Sequence, residues 1–226
     1  MQGLYLVTPN WDDTANLIDY TRAALDAGAC MVQYRHKEAN AELALEQGAA
    51  LLDLCRHYQR PLIINDHLDL CLTLGADGAH VGGQDVSVAE ARRMLGPDKI
   101  VGASCYGDLA LAQAAQRDGA TYAAFGGFYP STVKRYTFVT APALITEAKA
   151  SLSIPVVVIG GMTPANAAPL VALGADMVAA ITSVYQAPDP VAAVRAFDAL
   201  FARRGGPRES GPREGGPREG GAQQLV

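Results

Sequence analysis

The run Met31-Val32-Gln33-Tyr34-Arg35-His36-Lys37 sets an amide, a guanidinium and an ammonium at a spacing of two. In extended chain, alternate side chains share a face, so Gln33, Arg35 and Lys37 would project together. Two neighbouring cations taken out of water lose hydration without recompense unless an anion meets them. The run therefore asks for a polyanion. The competing reading puts Arg35 and Lys37 past the strand end as ordinary solvated charges.

Further along stand Asn65-Asp66-His67 and Gly82-Gly83-Gln84-Asp85. Two carboxylates with water and substrate oxygens suit magnesium, which prefers octahedral oxygen coordination and keeps several waters. Either acid alone also reads as a helix N-cap. A long segment, Ala124 to Tyr136, carries hydroxyls, cations and aromatics and could close over a ligand as a lid. Near the end come Gly160-Gly161 and Ile181-Thr182-Ser183. A glycine pair lets the backbone approach a ligand, and amides at a following helix N-terminus favour an anion.

Eight short apolar runs must position these groups: Gly3 to Val7, Met31 to Arg35, Leu62 to Asn65, Gly78 to Val81, Ile100 to Ser104, Tyr122 to Phe125, Pro155 to Gly160 and Met177 to Ile181. Between them lie segments with apolar residues at helical spacing, such as Ala41 to Tyr58, Val88 to Leu95, Leu109 to Asp118 and Pro142 to Ala150. Near-continuous apolar strands alternating with helices imply parallel pairing and burial on both faces. The pattern predicts an α/β fold, a single (β/α)8 TIM barrel over residues 1–204, with an open doubly wound sheet as competitor. Gly28, Gly75, Gly119 and Gly174 each stand between a helix and the next strand, where glycine serves as a C-terminal cap. In such a barrel the active site lies at the C-terminal strand ends, where the polar groups fall, and phosphate is commonly held after strands seven and eight.

From Gly206 the chain repeats Gly-Pro-Arg-Glu at a period of five, with nothing apolar to bury, and residues 205–226 read as a disordered tail. The chain has 226 residues, half of them hydrophobic, and a formal net charge of -5. Its body lacks an extended basic surface for nucleic acid, so a compact anion is the expected partner. The cysteines are scattered singly at 30, 55, 71 and 105, there is no signal-like start, and no apolar run is long enough to span a bilayer. A cytoplasmic location with no membrane partner is expected. Cys105, beside Ser104, is expected to pack rather than touch a ligand.

Taken in order, Leu4-Tyr5-Leu6-Val7-Thr8, Gln33-x-Arg35-x-Lys37, Asn65-Asp66, Gly75 to Gly82, Asp85, Pro130-Ser131-x-x-Lys134, Ile159-Gly160-Gly161 and Ile181-Thr182-Ser183 resemble the thiamine-phosphate synthase family over roughly residues 3–200. The resemblance implies condensation of 4-amino-5-hydroxymethyl-2-methylpyrimidine diphosphate with 4-methyl-5-(2-hydroxyethyl)thiazole phosphate, giving thiamine phosphate and pyrophosphate. It implies Gln33, Arg35, Lys37 and Asn65 on the pyrimidine diphosphate and Asp66 and Asp85 on Mg2+. It further implies Ser104 on the pyrimidine side, Lys134 on the departing diphosphate, and Ser131, Thr132, Gly161, Ile181 and Thr182 on the thiazole phosphate. Arg35, Lys37, Ser104 and Lys134 would be the catalytic groups. His36 stands where the family often has an acid and should point away from the site; Ser131 and Val133 replace loop threonines.

The alternatives are a thiazole tautomerase-like barrel, for which His80 is the obvious proton shuttle, and a non-catalytic phosphate-ligand sensor. Association of the chain into a homo-oligomer is left open.

Overall fold

The computed structural model describes residues 1–83, 85–131, 133 and 137–202. The repeat tail, together with Thr132 and Lys134, lies outside the described residues.

Strands β1 (Gly3–Val7), β2 (Met31–Tyr34), β3 (Leu62–Asn65), β4 (Gly78–Val81), β5 (Ile100–Tyr106), β6 (Tyr122–Phe125), β7 (Val156–Ile159) and β8 (Met177–Ala180) form a closed parallel barrel in sequence order. Closure is made by β1 against β8, with Gly3 opposite Met177 and Leu6 opposite Ala180, which excludes the open sheet. The helices are α1 (Thr14–Asp26), α2 (Ala41–His57), α3 (Leu68–Leu74), α4 (Val88–Leu95), α5 (Leu109–Arg117), α6 (Ala143–Ser151), α7 (Pro164–Ala172), α8 (Thr182–Tyr185) and α9 (Pro190–Ala202).

The period of two explains why these strands are apolar throughout. Leu4 and Leu6, Leu62 and Ile64, Val156 and Val158 face outward into the layer covered by the helices. Tyr5 and Val7, Ile63, Val157 and Met177 face inward and fill the lumen. The barrel is therefore packed through its middle, and only the ends of the strands are available for a ligand.

The bottom is held by polar contacts at the helix-to-strand turns. Gly75 caps α3 in the left-handed region at φ 67°, a conformation that costs glycine nothing. Half-buried Arg92 of α4 donates to the carbonyls of Gly96 at 2.7 Å, Lys99 at 2.7 Å and Gly119 at 2.8 Å, and to Thr121 Oγ1 at 3.0 Å, tying the α4–β5 turn to the α5–β6 turn.

At the top, four strand ends differ from expectation; β7 and β8 each stop one residue early, at Ile159 and Ala180. β2 stops at Tyr34, one residue short of Arg35, because Thr8 Oγ1 takes the place of a neighbouring strand: it accepts from the Arg35 N–H at 2.8 Å and donates to the Arg35 carbonyl at 3.1 Å. β5 runs two residues past Ser104, through a register shift between Ser104 and Tyr106, with Tyr106 at φ 52°. Cys105 is buried and donates its Sγ–H to the Ala103 carbonyl, on the face opposite Ser104.

Candidate active site

A cavity of about 570 Å3 opens at the C-terminal ends of the strands. On one wall it is lined by Gln33, Arg35, Lys37, Asn65, Asp66 and Asp85. Arg35 and Lys37 lie beyond the end of β2 rather than on it, as the competing reading supposed, yet both line the cavity. Lys37 has a 59% exposed side chain and its Nζ stands 3.8 Å from Asp66 Oδ2. Arg35 is half-buried; burial pulls its guanidinium below its ordinary value while the Asp66 charge pulls it back up. His36 between them is buried and turns away to the exposed Asp12, Nε2 to Oδ1 at 3.0 Å.

Asp66 adopts φ 61°, an uncommon conformation for a side-chain-bearing residue. Its N–H donates to the His80 carbonyl on β4 at 2.9 Å, which holds the kink in place. Neither acid is a helix cap. The cap of α3 is His67, without a side-chain bond, and that of α4 is Ser87, whose Oγ accepts from the Glu90 N–H. Asp85 Oδ2 instead accepts from the Gly82 N–H at 2.9 Å. The Asp66 carboxyl is pushed up first by its own burial and then by the neighbouring Asp85 carboxyl, with Lys37 and Asn65 pulling the other way. Two hard oxygen donors that repel one another are the setting a divalent cation relieves. Among the described residues no group of three His, Cys, Asp or Glu is placed to hold an ion; a cation seated on these two carboxylates would take its other ligands from water and substrate.

The floor is polar as well. Gln33 Nε2 donates to Tyr5 OH at 2.6 Å, Tyr5 OH bonds Tyr122 OH at 2.7 Å, and His80 bonds Tyr122 OH through Nδ1 and Ser104 Oγ through Nε2, each at 2.9 Å.

The opposite wall carries Ser131, Gly160, Gly161, Ile181, Thr182 and Ser183. Gly161, at φ 62°, is glycine for a protein contact: a Cβ there would stand 2.1 Å from the Pro130 carbonyl oxygen. Its own carbonyl accepts from Asn166 Nδ2 at 2.9 Å, and the Asn166 N–H is used by Thr163 Oγ1 at the start of α7. The close approach at Gly161 is thus to the loop after β6, and Gly160 and Gly161 both line the cavity. Ser183 Oγ is the unsatisfied group on this wall: it is buried and has no hydrogen-bond partner among the described residues.

The sequence matches the thiamine monophosphate synthase family over residues 4–184. The chain belongs to that family. It is 62% identical over 203 residues to a thiamine-phosphate synthase of Janthinobacterium sp. (strain Marseille), covering 90% of this chain and 98% of the relative. Another thiamine-phosphate synthase, from Methylobacillus flagellatus, is 47% identical, covering 89% of this chain and 96% of its own. Among solved structures, a thiamine phosphate pyrophosphorylase from Pyrococcus furiosus superposes with a TM-score of 0.80 at 30% identity, covering 91% of this chain and 98% of that one.

Every described residue that the family resemblance singled out lines this one cavity: Gln33, Arg35, Lys37, Asn65, Asp66, Asp85, Ser104, Ser131, Gly161, Ile181 and Thr182. Thr132 and Lys134 lie outside the described residues. Four polar side chains of the cavity were not singled out in the sequence as ligand contacts of a synthase: Tyr5, His80, Tyr106 and Ser183. Tyr5 and His80 lie inside β1 and β4, where an alternation of faces cannot separate a lumen side chain from a ligand contact. Ser183 could have been reached from its place directly after Ile181-Thr182.

Proposed function

We propose that this thiamine monophosphate synthase family member is a transferase that condenses the pyrimidine diphosphate with the thiazole phosphate, releasing pyrophosphate and forming thiamine phosphate. The observation that carries the reading is the single cavity with two unlike walls, a cation and carboxylate wall across from a hydroxyl wall with the buried Ser183 Oγ. A diphosphate fits the first and a monophosphate the second.

The reaction needs little proton transfer. Cleavage of the pyrimidine C–O bond leaves a resonance-stabilised cation and a pyrophosphate whose charge grows along the path; the thiazole nitrogen then attacks the cation. Arg35 and Lys37 favour the separated charges over the intact ester, and that difference between transition state and ground state is what accelerates the step. Lys134 is assigned the same role from its place in the loop sequence. Gln33, Asn65 and Ser104 orient the ring, and Ser131, Thr132, Gly161, Ile181 and Thr182 hold the second phosphate, so that the reacting atoms meet without a search. Asp66 and Asp85 would hold Mg2+, which when bound supplies positive charge to the diphosphate oxygens.

The four cysteines are free thiols, and a cytoplasmic setting is assigned on that ground. Among the described residues no helix is long and apolar enough to cross a membrane. The test is a split between the two halves of the site. Asp66→Ala or Lys134→Ala should lower turnover by about 100-fold, the scale of losing one preorganised charge contact, while leaving the affinity for thiazole phosphate within about threefold. A loss of thiazole-phosphate binding that equals the loss of turnover would contradict the assignment.

A further inference from the structure

We infer that Tyr122, with Tyr5, acts as a positioning residue: it fixes the direction of one hydrogen-bond chain across the barrel floor, so that Ser104 meets the substrate as a donor and Gln33 meets it as an acceptor. The inference rests on the reading that these two groups face the aminopyrimidine.

The chain joins side chains from five strands in the order Gln33 (β2), Tyr5 (β1), Tyr122 (β6), His80 (β4) and Ser104 (β5), with separations of 2.6, 2.7, 2.9 and 2.9 Å. A hydroxyl has one hydrogen to give, and a neutral imidazole has one N–H. Gln33 donates its amide N–H to Tyr5; the geometry of the next two bonds admits either direction, and with Tyr5 already accepting we assign its hydrogen to Tyr122 and that of Tyr122 to His80 Nδ1. His80 is thereby held as the Nε2–H tautomer, donating to Ser104 Oγ. Ser104 keeps its hydroxyl hydrogen to direct away from His80, and Gln33 keeps its carbonyl oxygen. A substrate ring carrying an amino donor and ring-nitrogen acceptors finds one partner of each kind. Reversing the direction would turn over every hydrogen bond together, so both ends are set as a unit.

Two further observations show that the chain is built into the fold. Tyr5 and Tyr122 are almost wholly buried, and burial pushes both phenols above their ordinary pKa, so each keeps the hydrogen the chain requires. Gly102 of β5 makes the room: a Cβ there would stand 2.1 Å from Tyr122 Cζ and 2.6 Å from His80 Nδ1. The rings are also fixed, Tyr5 edge-on to Tyr122 at 88° and His80 stacked on Tyr122 at 18°. A buried hydroxyl without a partner is costly, and phenylalanine would fill the same space.

The decisive experiment is 15N NMR of the imidazoles in the full chain, which has four histidines, combined with steady-state kinetics of Tyr122→Phe. Wild type should show His80 protonated at Nε2 and bare at Nδ1; Tyr122→Phe should show both tautomers. In the variant the KM for pyrimidine diphosphate should rise about tenfold, the worth of one hydrogen bond, with kcat and the KM for thiazole phosphate within about threefold. Tyr5→Phe, which breaks the chain one link earlier, should move the same two readouts in the same direction. A purely structural tyrosine would lower the melting temperature and leave the tautomer and the KM split alone. His80 found protonated at Nδ1 in wild type, or an unchanged KM for pyrimidine diphosphate in Tyr122→Phe, would overturn the inference. The tautomer is read without turnover, so a failure of the synthase reading would show as absent product formation with the Nε2–H signal intact.

Discussion

Asp66 and Lys37, carried by the loops after neighbouring strands, face each other across 3.8 Å at the cavity mouth. Lys37 is mostly exposed and Asp66 is only partly so, and a pair of this kind adds little to stability. Under the proposed function its use is electrostatic: Lys37 would face the diphosphate, and Asp66 stands beside Asp85 in an uncommon backbone conformation, φ 61°.

The first prediction follows from the sign of the Asp66 shift. Its folded pKa is raised above the ordinary 3.8, so between the unfolded and folded values the folded state binds more protons than the unfolded state. Stability from this group is therefore greatest on the acid side and declines as pH rises through the folded pKa. At neutral pH without magnesium, Asp66→Asn should raise the melting temperature; with magnesium present the same change should remove most activity. Magnesium should raise the melting temperature of wild type but not of the variant. A variant that melts lower than wild type in metal-free buffer would contradict the account of the acid pair.

Ser183→Ala should also separate stability from function. Removing a buried hydroxyl that has no hydrogen-bond partner among the described residues should stabilise the ligand-free protein by about 1 kcal/mol, seen as a shift in the denaturation midpoint. The same change should raise the KM for thiazole phosphate about three- to tenfold, the worth of one hydrogen bond, and leave that for pyrimidine diphosphate unchanged. If both constants stay put, Ser183 is not on the phosphate wall's binding surface.

Arg92→Ala supplies the reverse case. Its guanidinium holds the turns at the bottom of the barrel, far from the cavity at the top. Loss of these charge-assisted bonds should cost about 2–4 kcal/mol by chemical denaturation, with kcat and both KM values unchanged at a temperature where the variant stays folded.

Most of the barrel was legible because its strands are buried on both faces, which makes each an apolar run that periodicity detects. The strand ends were less so. β2 was expected to reach Arg35 and stops at Tyr34 because a side chain, Thr8, supplies the partners that a ladder would; no local pattern encodes a contact across 27 residues. Gly161 was read as a close backbone approach to a ligand; the approach the structure shows is that of the Pro130 carbonyl, which depends on how the loop after β6 lies against β7. The acid pair was found from its place after adjacent strands, whereas the chain from Gln33 to Ser104 was invisible, since it joins single residues of five strands and its tyrosines look like any aromatic in a core.

The central claim is tested most directly by single-turnover rapid quench with the pyrimidine diphosphate limiting and thiazole phosphate and magnesium in excess. The account predicts that purified protein releases one pyrophosphate for each thiamine phosphate formed, with neither product when magnesium is removed. Tight binding of both substrates with no pyrophosphate released would contradict it and would make the chain a phosphate-ligand sensor on the same barrel.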